Sequence, residues 1–256
     1  MPTSYGALCT DFYINQKLAL KLDLPGERET ILHLFDRIRR SEPAMERFRR
    51  FDDELALESS RREAEYKWLA LRRTSIRTGH VNPQSMEQAY RFHRLVLEVC
   101  PFHLTISPLD VDYLELLFGF DLECAGNHDE VVYDALMGQS PLGELLRLPQ
   151  AFRGVEGAKI IDVQPVFGMQ LSPGGELQAF FEVKTRQRGR RGNARRFRNE
   201  PISIFLTIRR YGPISDIKDL GQDFNQLKDC AELLATERLV PDLLTPIARH
   251  ITSGSA

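Results

Sequence analysis

The chain lacks the features that announce a function class. It has no uninterrupted apolar stretch near the ~18 residues that cross a bilayer, and Met1 to Tyr13 carries neither the basic nor the apolar region of a secretory signal. Its four cysteines, Cys9, Cys100, Cys124 and Cys230, lie far apart and form no pairing pattern. That spacing excludes a disulfide framework and predicts reduced, small apolar residues in a cytoplasmic protein. No glycine-rich loop precedes a helix and no serine sits in a nucleophile elbow, so neither a phosphate loop nor a hydrolase signature is present. Nor is there a low-complexity tract or an evident internal repeat.

What is present is an ordinary globular composition, 42% hydrophobic and 27% charged over 256 residues. That is enough for one large domain or two small ones. The net charge of −2 hides an uneven distribution. Residues 184–198 carry Lys184, Arg186, Arg188, Arg190, Arg191, Arg195, Arg196 and Arg198 with no acid. Without these eight, 26 basic residues face 36 acidic ones, a net charge of −10.

Periodicity divides the chain into two parts. An extended piece over 7–14, a turn at Asn15-Gln16 and a period-two strand over 18–24 come first. A helix follows with Ile31, Leu34, Phe35 and Ile38 on one face, stopping before Pro43. A short strand with Leu55 and Leu57 inward and an extended run from Tyr66 to Val81 come next. Ser85-Met86-Glu87-Gln88 reads as a capping box. It opens a buried helix that Pro101 closes. Residues 111–124 alternate cleanly, with Leu114, Leu116, Phe118, Phe120 and Leu122 facing in. The order strand-helix-strand-strand-helix-strand predicts an α+β fold with a ferredoxin-like antiparallel sheet over 1–126. Residues 127–157, with caps at Asn127 and Ser140-Pro141, read as a helical linker.

Residues 158–256 predict a small antiparallel three-stranded sheet capped by C-terminal helices. Its strands are 159–171 with Ile161, Val163, Phe167, Met169 and Leu171 inward, 176–187 with Leu177, Ala179, Phe181 and Val183 inward, and 201–211 with Ile202, Ile204, Leu206 and Ile208 inward. The seam Ile217, Leu220, Phe224, Leu227, Ala231, Leu234 predicts one helix, and Pro246 behind Thr245 predicts a break in the next.

The basic run joins two of these strands. Arginine offers paired planar donors that suit phosphate oxygens. Phe180 and Phe205 fall on the strand faces away from the core, beside Lys184, Arg186 and Arg209. Aromatics among cations on an open sheet face are a platform for single-stranded nucleic acid. The ligand-binding candidates are therefore the eight basic residues of the run with Phe180 and Phe205. The plainer expectation is a solvated loop beside two packing phenylalanines. Cys100 with His103 and Cys124 with His128 have ligand-like spacing, but the 111–124 strand separates the two pairs, which argues against a shared zinc. Outward Glu115, Asp121 and Glu123 could serve acid–base chemistry. Cross-strand pairing with Arg72, Arg73 or Arg77 is the simpler expectation.

The favoured reading is a non-catalytic binding or scaffold protein without a cofactor. Its partner is a protein, a further copy of itself, or a nucleic acid or other polyanion at the run; a membrane is not among the partners. The competing reading is a hydrolase or transferase whose site forms between the two parts and leaves no local motif.

Overall fold

The computed structural model describes residues 4–60, 64–147, 149, 152, 154–155, 158–185 and 200–253. Their strands form one sheet of nine, in the order β2-β3-β4-β5-β1-β6-β9-β8-β7, with every neighbouring pair antiparallel. The strands are β1 (Asp11–Leu20), β2 (Arg47–Arg50), β3 (Glu54–Glu58), β4 (Tyr66–Arg72), β5 (Ser75–Val81), β6 (Val111–Leu122), β7 (Val166–Gln170), β8 (Leu177–Thr185) and β9 (Ile202–Tyr211). The helices are α1 (Arg28–Ser41), α2 (Met86–His103), α3 (His128–Met137), α4 (Leu220–Leu234) and α5 (Thr245–Ser253). No helix of the described residues is long and apolar enough to cross a membrane.

The α+β class holds; the division into a ferredoxin-like sheet and a separate three-stranded sheet does not. Strand β6 pairs with β1 on one side and with β9 on the other, so the sheet runs unbroken through the chain. The element order strand-helix-three strands-helix occurs twice, as β1-α1-β3-β4-β5-α2 and as β6-α3-β7-β8-β9-α4. In each unit the spatial order is the same, and the two first strands meet antiparallel at the middle. The units are thus related by an approximate twofold through the β1–β6 pair. The first adds the edge strand β2, the second α5.

Strand β1 runs through the turn expected at Asn15-Gln16. Its even positions Phe12, Ile14, Leu18 and Leu20 are buried apolar residues, and Gln16 interrupts them as a buried polar one. Asn15-Gln16 therefore reads as a turn in sequence and is the centre of a ten-residue strand in the fold. The extended run 66–81 is a hairpin whose two-residue turn, Arg73-Thr74, contains none of the usual glycine, asparagine or aspartate signals. The third cap, Ser140-Pro141, opens no helix.

The inner face of the sheet carries the core. Leu114, Leu116, Phe118 and Phe120 of β6 and Ile202, Ile204, Leu206 and Ile208 of β9 are all buried, as their alternation requires. Ser85 caps α2 by accepting a hydrogen bond from the Gln88 N–H at 3.2 Å. That helix absorbs Pro101 in its last turn and ends at His103. Helix α4 lies over β6 and β9, and α2 lies between α1 and α4. The C-terminal helix is not broken at Pro246. It runs from Leu220 to Ser253 through a π-helical stretch, Ala235–Leu244, that contains Pro241. The wider winding accommodates a residue that lacks an N–H and crowds the preceding turn.

Candidate functional site

The helices all lie on one side, and the opposite face of the sheet is uncovered by any described helix. Directly opposed residues share a face, so the register lays that outer face out in rows. One row reads Gln178, Arg209, Glu115, Lys17, Arg77, Ala70, Ala56, Arg49. The next reads Phe180, Thr207, Leu117, Asn15, Gly79, Trp68, Glu58, Arg47. Beyond it come Glu182, Phe205, Gly119, Tyr13, Val81 and Tyr66.

Two glycines let aromatic rings lie flat on this face. A Cβ at Gly79 would sit 2.2 Å from the Trp68 indole, and one at Gly119 would sit 2.1 Å from the Tyr13 ring. Tyr13 in turn meets Phe205 edge-on at 6.4 Å. The three rings form a floor across β4, β5, β1, β6 and β9. Cations are stacked alongside. The Arg209 guanidinium lies 4.7 Å from the Tyr113 ring and 5.6 Å from those of Phe180 and Tyr211. Its Nε donates to Glu115 at 2.9 Å and its Nη1 to the Tyr211 hydroxyl at 2.7 Å.

Lys17 and Arg77 are the exception to this pairing. They stand directly opposite each other on β1 and β5. Like charges so placed destabilise a sheet. Lys17 donates to the Tyr113 hydroxyl and has that ring 4.8 Å from its ammonium. The Nε of Arg77 is buried and has no hydrogen-bond partner among the described residues, and the same holds for Oδ1 of neighbouring Asn15. Both cations line a recess of about 360 Å³ together with Arg72, Arg73, Tyr113 and the acids Asp53 and Asp112. Arg72 is bound by Glu54 at 2.6 Å and Arg73 by Asp23 at 2.9 Å. Glu115 stands opposite Lys17 on β6 but is bound to Arg209, and among the described residues neither Lys17 nor Arg77 has a carboxylate within ion-pair distance.

Of the residues proposed from sequence, Phe180, Lys184 and Phe205 lie on this face. Arg186, Arg188, Arg190, Arg191, Arg195, Arg196 and Arg198 fall outside the described residues. Phe205 is only 7% exposed, enclosed by Tyr13 and by the Lys184 ammonium at 5.4 Å, so it offers little surface for stacking. Lys184 is itself paired with Glu182 at 3.2 Å. Two of the outward acids, Glu115 and Asp121, hold neighbouring side chains. Glu115 holds Arg209 rather than Arg72, Arg73 or Arg77. Asp121 accepts from the Tyr13 hydroxyl at 3.2 Å and from Ser203 at 2.7 Å. His93 is fully buried, with Nδ1 2.7 Å from the Thr78 hydroxyl. His128 contacts the Cys124 carbonyl oxygen through Nε2 at 3.0 Å. Among the described residues no three His, Cys, Asp or Glu side chains gather as a metal site.

Sequence reasoning missed Lys17 and Arg77. The signal was available for Lys17: Tyr13, Asn15 and Lys17 alternate with Phe12, Ile14 and Leu18, which places Lys17 outward once Gln16 is accepted as an inward residue.

No protein-family model matches the chain, and no curated protein does. Among solved structures, the crystal structure of the di-domain ARO/CYC BexL from the BE-7585A biosynthetic pathway aligns over 93% of this chain and 98% of its own, at 9% identity and a TM-score of 0.21. A likeness of that size carries no statement about fold or function.

Proposed function

We propose that this chain is a non-catalytic binding protein that holds a polyanion, single-stranded nucleic acid, across the outer face of its sheet. The observation that carries the reading is the opposed pair Lys17 and Arg77: among the described residues neither has a carboxylate within ion-pair distance, although Glu115 faces Lys17 and Asp53 and Asp112 share the recess, and the Arg77 Nε is buried without a partner. An anionic group in the recess between them converts their mutual repulsion into two charge-assisted hydrogen bonds. A polymer is favoured over a single anion by the layout of the face. Lys184, at the root of the basic run, belongs to the row of Ser203, Asp121 and Asp11. Lys17 is six residues further along β1, an offset of about 20 Å along the strands at ~3.3 Å per residue, and three strands across the sheet from Lys184. A strand bridging the two would cross the Tyr13 ring over β6, and one continuing to Arg77 would meet the Trp68 ring over β5, both of which supply stacking surface.

Fluorescence anisotropy with a labelled single-stranded oligonucleotide of about 20 nucleotides tests the proposal. The expected result is micromolar binding that weakens steeply with salt, because neutralised phosphates release counterions. Lys17→Ala/Arg77→Ala should weaken it at least tenfold for all sequences and flatten the salt slope. Replacing Arg190, Arg191, Arg195 and Arg196 together with Ala should act in the same direction. Absence of binding at low salt, or unchanged affinity in the Lys17/Arg77 variant, overturns the reading.

A stability measurement on the free protein complements it. Arg77→Met should raise the melting temperature by about 1 °C, because removing one of two opposed like charges relieves roughly 0.5 kcal/mol while the methylene packing is kept. Gain of stability with loss of affinity is the signature of a charge retained for a ligand. A melting temperature lowered by this substitution would show that Arg77 serves the fold.

A further inference from the structure

The two edges of the sheet are built differently. At one end, β2 reads Arg47-Phe48-Arg49-Arg50, and its positive charges guard it against pairing with other chains. At the other, β7 reads Val166-Phe167-Gly168-Met169-Gln170, with no charge, and all five residues are exposed. The Val183 N–H donates to the Pro165 carbonyl and the Leu171 N–H to the Leu177 carbonyl. This fixes the odd-numbered residues of β7 as those bonded to β8. Val166, Gly168 and Gln170 therefore turn their N–H and C=O groups outward, and no described residue pairs with them. Phe167 and Met169 stand opposite Phe181 and Ala179, on the helix-bearing face, yet they are 52% and 43% exposed. The helix layer stops short of this strand.

We propose that β7 is the interface for a second copy of this chain, pairing antiparallel with its counterpart to join two nine-stranded sheets. The strand is self-complementary about Gly168. In the register that uses all five residues, Gly168 faces Gly168 of the second copy and Val166 faces Gln170. Each of these pairs exchanges two main-chain hydrogen bonds. Phe167 then lies opposite Met169, so the apolar pairs that the helices leave open cover each other across the axis. No like charges meet, because β7 carries none. A neutral edge recommends a second copy over a charged partner, and the arginines of β2 prevent the other edge from doing the same. With one competent edge per chain, the contact is isologous and closes at two copies instead of growing into a filament. The interface lies at the edge of the sheet and is independent of the anion-binding reading of its outer face.

Light scattering on eluting full-length protein at about 50 µM tests this. The expected wild-type mass is twice the 29.4 kDa of one chain. Phe167→Lys/Met169→Lys should halve it, because like charges would face each other at both sites. Val166→Pro removes one outward N–H without touching the β8 ladder and should weaken the dimer at least tenfold while circular dichroism stays unchanged. Should the double lysine variant misfold, the Val166→Pro result decides alone. A wild type of single-chain mass, or a Val166→Pro variant that dissociates no more readily than wild type, overturns the proposal.

Discussion

Ile204→Asp should abolish the cooperative thermal transition. Ile204 is fully buried at the middle of β9, between Phe120 on β6 and Val183 on β8. Both neighbours are apolar and also buried, so a carboxylate there meets no donor side chain directly opposite it on either adjacent strand. An unpaired buried charge costs more than about 4 kcal/mol, a large fraction of the 5–15 kcal/mol that holds a domain together. Leu116→Asp tests the same inner face in a milder setting. Its cross-strand neighbour on β1 is Gln16, whose buried amide has neither atom paired. The Gln16 amide can donate to the new carboxylate, so Leu116→Asp should be less damaging than Ile204→Asp. Glu115→Ala, one residue away on the outer face, should cost about 1 kcal/mol, the loss of a partly exposed hydrogen-bonded pair with Arg209. Urea titrations of the three variants should therefore order as Ile204→Asp, Leu116→Asp, Glu115→Ala. A Glu115→Ala variant as unstable as Ile204→Asp would refute the assignment of faces.

The face assignments show what the sequence carried. Strands β6, β8 and β9 alternate without interruption, and their inward residues are legible from period two alone. Strand pairing was not legible. Nothing local in Val111–Leu122 says that its second neighbour is a strand eighty residues later. A sheet closing over that span therefore read as two separate sheets. The repeated order of elements was hidden as well, because it survives in topology and not in residues. The outer face was half legible. Phe180, Lys184 and Phe205 followed from parity, but how deeply Phe205 sits depends on the Tyr13 ring filling the space above Gly119. Lys17 and Arg77 gain their meaning only from the β1–β5 register, which brings two cations face to face. The basic run stood out by composition, whereas the recess is made by pairing.

Gln16 belongs to a buried polar group on the inner face that carries the last prediction: the protein should lose stability steeply as pH falls below 6.5. Thr78 lies directly opposite Gln16, and His80 is two residues further along β5. Helix α2 brings His93 onto Thr78. Burial depresses both histidines, each to a pKa of about 3. For His80 the positive Lys67 directly opposite adds to the effect, and for His93 it is His80 and Lys67 that add. Lys67 Nζ is paired with Glu42 at 2.9 Å, and His80 donates through Nε2 to Glu65 at 2.6 Å as a neutral ring. In the unfolded chain a histidine titrates near 6.5. Between about 3 and 6.5 the unfolded state thus binds protons that the native state refuses, so stability rises with pH across that window. It is fully present above 6.5 and is lost progressively below. Each histidine contributes a slope approaching about 1.4 kcal/mol per pH unit once its unfolded form is protonated. Denaturant titrations between pH 7 and 5, above the range where most carboxylates protonate, isolate this contribution. His93→Asn should reduce the slope by about half, while lowering stability at pH 7 because the Thr78 hydroxyl loses its imidazole partner. If stability stays level from pH 7 to 5 in the wild type, the two rings are not held neutral and the buried group is open to solvent.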